Sequence, residues 1–168
     1  MTLPMQIEPM LAVSAPPFDS PVYHFEIKWD GLRCLAFLED ATRLQSRSGR
    51  TITFQYPELA NLHRQVNASG VVLDGEIIVL ADGKPSFSRL QNRMHASSAA
   101  GIEAGARHYP VIYVVFDLLY HKGQSLMAHP LEARQESLHT VVTPGPHLII
   151  SEAIPEAGQA LFTRIAAL

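Results

Sequence analysis

The sequence is short of the features that staple, span or export a protein. Of its 168 residues only Cys34 is a cysteine, so no internal disulfide can form and a reducing compartment suits it. The most apolar stretch, Val111 to Tyr120, is broken by Asp117. It is about half the ~20 residues that a membrane helix needs, so no membrane is expected as a partner. The N-terminus, MTLPMQIEPM, has no basic residue ahead of its first apolar run and carries Glu8, which argues against a secretory signal. The eight histidines fall at no metal-ligand spacing with the cysteine or with each other. The expectation is a soluble cytoplasmic protein.

What is present is a globular composition, 47% hydrophobic and 17% charged, and a length that suits one domain. A chain of this size buries roughly two-thirds of its unfolded surface and needs no staple. The net charge of −3 excludes a wholly basic nucleic-acid coat, but the charge is uneven. Nine Lys or Arg against seven Asp or Glu lie between Lys28 and Arg93, and four against nine lie elsewhere. The first segment permits a local anion-binding surface, although exposed charges often do no more than solvate a face.

Hydrophobic periodicity gives the elements. The start, through Pro21, is rich in proline and small residues and reads as an extended arm over residues 1–20. Tyr23, Phe25 and Ile27 alternate with His24, Glu26 and Lys28, the period of a strand with one buried face, which points Glu26 and Lys28 the same way. Leu32 to Leu38 and Arg43 to Ser46 form a hairpin. Pro57 opens a predicted helix with Leu59, Leu62 and Val66 on one face. Val71 to Leu80 and Pro110 to Tyr120 are strong strands, and His147 to Ser151 is short and extended. Helices are predicted over Pro85 to Met94, Pro130 to His139 and Ala157 to Leu168, with a mobile loop over Ala96 to Gly105. Hairpins mixed with helices, without regular βαβα alternation, predict an α+β fold with a mainly antiparallel twisted sheet flanked by helices.

Three segments can carry chemistry. In Glu26-Ile27-Lys28-Trp29-Asp30-Gly31-Leu32-Arg33, a lysine at a strand end before an Asp-Gly turn can project its amine into a cleft. An amine is nucleophilic only when deprotonated, which desolvation or a neighbouring cation favours; a plain surface lysine at a hairpin is the other reading. Leu73-Asp74-Gly75-Glu76 puts two carboxylates inside an apolar run, where they need partners, a ribose or a hydrated divalent cation. Alternatively, Asp74-Gly75 makes a hairpin turn and Glu76 is solvated. In Val115-Phe116-Asp117-Leu118, alternation sends Phe116 and Asp117 to opposite faces, and Phe116 is either a stacking wall for a purine or a core residue.

Taken in order, Lys28-x-Asp30-Gly31-x-Arg33, Ser46-Arg47-x-Gly49, Asp74-Gly75-Glu76 and Phe116-Asp117-Leu118-Leu119-Tyr120 resemble the nucleotidyltransferase domain of ATP-dependent DNA ligases, especially the bacterial end-joining type. Pro9-Met10-Leu11-Ala12 and Pro130-Leu131-Glu132 are similar too, so the resemblance runs from Pro9 to about Leu168. It implies an ATP-grasp-like fold and a covalent mechanism in DNA repair or recombination, with ATP and Mg²⁺ (or Mn²⁺) as cofactors. It further implies nicked or broken DNA as partner, a nucleoid-associated location, and end-joining proteins as possible partners.

Carried over residue by residue, the resemblance makes Lys28 the nucleophile that becomes lysyl-AMP and sets Glu26 at the adenine. Arg33 falls near the nucleotide and Arg47 near phosphate. Glu76 reaches the ribose or the metal, and Phe116 stacks on adenine. Asp30, Asp74 and Asp117 are expected to be mainly structural. Lys28, Glu76 and Phe116 are expected in one cleft. The family continues with Glu-Gly-apolar-apolar-x-Lys and then Lys-x-Lys, followed by an OB-fold domain, and none of these lies within residues 1–168. The resemblance therefore implies a partial adenylation domain that forms lysyl-AMP slowly or not at all. A noncatalytic remnant that binds nucleotide or DNA weakly, or an RNA ligase or capping-type nucleotidyltransferase, are the alternatives.

Overall fold

The computed structural model describes residues 3–167. Along the chain lie β1 (Ser20–Glu26), β2 (Leu32–Leu38), β3 (Thr42–Ser46), β4 (Val71–Ala81), β5 (Lys84–Pro85), α1 (Phe87–Met94), α2 (Ala99–His108), β6 (Val111–His121), β7 (Gln124–Ser125), α3 (Leu131–Val141), β8 (Leu148–Ile150), β9 (Ala153–Glu156) and α4 (Gly158–Ala166). They divide into two units, residues 3–9 with 29–150 and residues 10–28 with 151–167. Outside these elements, residues 3–19 hold neither helix nor strand, as expected of an arm.

The first unit is built on a sheet in the order β3-β2-β4-β6, with β8 parallel beside β6 and the short β5 and β7 folded back on β4 and β6. All other pairings are antiparallel, in agreement with the α+β expectation. Both faces of the central strands are covered, which is why they read as nearly unbroken apolar runs. On one face Cys34, Ala36, Leu73, Ile77, Tyr113 and Val115 join a core completed by Leu90 of α1 and Leu138 of α3. On the other, Leu35, Phe37, Val72 and Leu119 pack with Leu3 and Ile7. Gln45 secures that N-terminal segment: its side-chain amide donates to the Ile7 carbonyl at 2.7 Å and accepts from the Ile7 N–H at 3.3 Å.

Arg93 is fully buried, and its guanidinium donates to both oxygens of Glu58, at 2.6 and 3.0 Å, and to the carbonyls of Tyr109 and Gln55. Burial works to raise the Glu58 carboxyl, but the Arg93 bonds, its own backbone N–H and that of Val111 outweigh it and hold it below its ordinary value. One of the nine cations counted toward a basic surface is thus a structural tie.

Two expectations fail here. The helix predicted after Pro57 is instead a pair of 3₁₀ turns, Pro57–Leu59 and Leu62–Gln65. The neighbouring backbone is claimed from outside: Asn67 donates to Val141 O, Thr143 donates to Gln65 O, and Val66 bridges Val142, so an α-helix cannot propagate. The stretch predicted as a mobile loop is mostly α2. Its alanines favour helix, Ser98 caps it by accepting from Gly101 N–H, and Ile102 is buried.

The second unit consists of β1 paired antiparallel with β9, Glu26 opposite Ala153 and Phe25 opposite Ile154, together with α4. The first residue of α4 is Gly158, where a Cβ would collide with the Phe18 carbonyl and the Phe25 ring. Asp19 supplies the helix cap from far away in sequence, accepting from Gln159 N–H at 2.8 Å and from its side-chain amide at 3.2 Å. Phe18 meets Tyr23 and Phe25 edge to face, with centroids 5.3 and 5.2 Å apart. The buried face predicted for β1 is absent at Tyr23, which is 55% exposed, and the strand stops at Glu26, two residues before Lys28. Among the described residues no helix is long and apolar enough to cross a membrane.

Candidate active site

In the first unit, antiparallel register sets Arg33 of β2 opposite Glu76 of β4 and Leu35 opposite Asp74. Arg33 and Asp74 are therefore diagonal neighbours on one face. The guanidinium uses this diagonal for a bidentate pair, Nε to Oδ1 at 2.6 Å and Nη2 to Oδ2 at 2.8 Å. Burial works to lower the Arg33 pKa, yet the hydrogen bonds to Asp74 and the charges of Asp74 and Glu76 raise it, so this side chain stays cationic. Burial pushes the Asp74 carboxyl up while Arg33 pulls against it.

Phe116 reaches the same face through a break in the ladder. The β4–β6 register passes from Asp74 opposite Asp117 to Gly75 opposite Val115, which leaves Phe116 as the extra residue of a bulge. Bulges re-aim side chains, and here the Arg33 Cζ stands 4.5 Å from the Phe116 ring centroid. Asp117 engages a different partner, taking both arms of Arg134 on α3 at 2.8 Å each. The expectation that Asp74 and Asp117 are structural holds in this sense, since each anchors an arginine.

Two glycines make the close packing possible. At Gly75 a Cβ would fall 2.7 Å from the Tyr113 ring, whose hydroxyl lies 2.9 Å from Cys34 O and 3.1 Å from Leu73 O. Asp74-Gly75 is thus no hairpin turn; β4 runs straight through it. At Gly31 a Cβ would strike the Ile77 carbonyl and come within 2.9 Å of Glu76 Cγ, so only glycine lets the chain entering β2 pass beside Glu76.

Of the residues predicted from sequence, the structure brings Arg33, Glu76 and Phe116 together. Arg47 follows β3 directly, exposed on the Ser46-to-Arg50 turn that Gly49 closes with a φ of 82°. Glu26 and Lys28 lie together in the second unit, both lining a groove of about 520 Å³ whose apolar walls include Phe18, Phe25, Leu161 and Phe162. Sequence reasoning missed the clamp of Asp74 on Arg33. The only signal was an acidic residue within an apolar strand.

A family model described as an ATP dependent DNA ligase domain matches residues 9–159. The chain is 39% identical over 140 residues to the multifunctional non-homologous end joining protein LigD of Mycobacterium bovis, covering 82% of this chain and 17% of that protein. It is 33% identical over 161 residues to the SPbeta prophage-derived DNA ligase-like protein LigB of Bacillus subtilis, covering 94% and 56%. A solved structure of mycobacterial DNA ligase D complexed with ATP and MES superposes with a TM-score of 0.77 and 34% identity, over 95% of this chain and 50% of that one. The ligase domain from M. tuberculosis LigD gives a TM-score of 0.75 at 33% identity, over 95% and 49%. The chain spans from about a sixth to little more than half of the length of these relatives. With the ordered motifs and the Arg33–Asp74–Phe116 face in place, the chain belongs to the family of ATP-dependent DNA ligase domains.

Proposed function

We propose that this chain carries the nucleotide-transfer chemistry of an ATP-dependent DNA ligase acting in break repair. The observation that carries the reading is that Glu26 and Lys28 line one groove, in a chain of the ligase-domain family. Lys28, deprotonated, attacks the α-phosphorus of ATP. A nitrogen–phosphorus bond forms, the bond to the bridging oxygen breaks, and pyrophosphate leaves. The AMP so held is passed to the 5′-phosphate at a nick, and the 3′-hydroxyl displaces it to seal the strand.

Within this reading Glu26 contacts the adenine and Phe116 stacks on it. Arg33 lies at the nucleotide, Arg47 meets phosphate, and Glu76 reaches the ribose or the metal. Among the described residues no three His, Cys, Asp or Glu side chains cluster for a metal. A Mg²⁺ or Mn²⁺ ion bound together with ATP would take Glu76 as a carboxylate ligand. When bound, it neutralises phosphate charge during transfer. DNA affinity of these 168 residues is expected to be weak and salt-dependent, because the net charge is −3 and Arg33, Arg93 and Arg134 are already committed to carboxylates.

The test is incubation with α-labelled ATP and Mg²⁺, followed by denaturing electrophoresis. Label is expected on a polypeptide in which these residues continue through the Glu-Gly and Lys-x-Lys motifs, and the 168 residues alone should be nearly blank. Lys28→Ala should remove the label. Label that persists in the Lys28→Ala protein overturns the assignment, and label on neither protein with intact Lys28 overturns the ligase reading in favour of a noncatalytic binder.

A further inference from the structure

Phe116 does not offer two equivalent faces to a ligand. Its ring carries the Arg33 guanidinium on one side, the Cζ 4.5 Å from the ring centroid, and both arms of that guanidinium are paired with Asp74, a residue only 4% exposed. Three features fix the arrangement independently of any ligand. The β2–β4 register makes Arg33 and Asp74 diagonal neighbours, the bulge turns Phe116 onto their face, and the fork-to-fork pair leaves the guanidinium one orientation. Two of the five N–H donors of Arg33 point at Asp74, so the other three are directed elsewhere.

Resting on the adenine role proposed above for Phe116, we propose that Asp74 is a positioning residue that clamps Arg33 over one face of the Phe116 ring, so that a purine nucleotide stacks on the opposite face alone. The cation beneath the ring lowers the cost of ordering it, and the carboxylate keeps the cation from swinging out to the phosphates. Asp74 touches no substrate. Its effect on nucleotide recognition passes through Arg33 and the ring.

The test measures equilibrium binding of ATP and CTP to the 168-residue chain by calorimetry, with thermal melting of each variant as a fold control. Asp74→Asn is expected to weaken ATP about tenfold, the scale of one charge-assisted hydrogen bond, and to move the ATP-to-CTP affinity ratio toward one. A merely structural defect would lower both affinities and leave the ratio unchanged. Asp74→Glu, which keeps a carboxylate, should restore part of the ratio. Arg33→Met should reproduce the loss, and adding Asp74→Asn to Arg33→Met should change nothing further, because the two residues act as one unit. If the unmodified chain binds ATP and Asp74→Asn keeps both its affinity and its ratio, the clamp is overturned while the functional reading stands. If the unmodified chain binds no ATP, the adenine role of Phe116 falls and the clamp with it, while the ligase reading is judged separately by the labelling of the longer polypeptide.

Discussion

Arg93 in the first unit has no exposed surface, and its charge is answered by Glu58 and two carbonyls. In the second unit Val22 is 82% exposed, Phe162 58% and Tyr23 55%. The first unit therefore buries a whole ion pair, Arg93 with Glu58, and the second leaves several large apolar side chains uncovered. A buried ion pair with a bidentate partner is costly to break, so side chains tied into the first unit are held in one geometry before any ligand arrives. The second unit rests on a two-stranded ladder, one aromatic cluster and one helix, and a ladder of that size is marginal alone. Recognition that needs fixed angles, such as the stacking proposed for Phe116, belongs to the first kind of region. Lys28, in the second unit, is exposed on a long flexible stem.

The largest test of this contrast is Glu58→Ala. It strands the Arg93 charge in the core and is expected to lower stability by about 3–5 kcal/mol in urea titration. A loss below about 1 kcal/mol would mean that the pair is not a structural tie. Next comes Gly75→Ala, which drives a methyl into the Tyr113 ring and the Val114 carbonyl. Overpacking of this kind costs about 1–3 kcal/mol, read as a fall in melting temperature, and a neutral result would show that β4 and β6 can separate there.

These two sites also mark what could be read from sequence. The strands were legible because Leu32 to Leu38, Val71 to Leu80 and Pro110 to Tyr120 are apolar enough to demand burial whatever surrounds them. Arg33, Glu76 and Phe116 were legible through short motifs. The Arg33–Asp74 pair spans 41 residues and Arg93–Glu58 spans 35, and nothing local announces either. The bulge at Phe116 depends on how two distant strands register, which alternation within one strand cannot reveal. The segment after Pro57 was misread for the same reason, since its helix was lost to hydrogen bonds from residues around Val142.

A smaller effect follows from pH. The Glu58 carboxyl titrates below its ordinary value in the folded chain, so the unfolded state takes up its proton first on acidification. Its contribution is therefore complete above an unfolded value of about 4.3 and is lost as pH falls through the folded value. Urea midpoints should drop on acidification below that point, and the drop should be shallower in Glu58→Gln, which cannot titrate. Equal slopes in the two proteins would remove Glu58 as the group responsible.

The smallest expected change is in the second unit, at Val22. Its side chain is 82% exposed on β1, so folding hides little of it from water, and Val22→Thr keeps the β-branched shape that a strand prefers. Substitutions on exposed surface away from caps, ion pairs and cavities usually stay within about 0.5 kcal/mol, and the urea midpoint is expected to stay within that range. The same substitution in the first unit, Val72→Thr, at a valine of β4 that is fully buried, would put a hydroxyl among Leu35, Phe37 and Leu119 and should cost about 1–3 kcal/mol. Measured side by side, the two valines isolate burial from residue type. If Val22→Thr proves as costly as Val72→Thr, something covers β1 in solution, and the contrast between the two units dissolves.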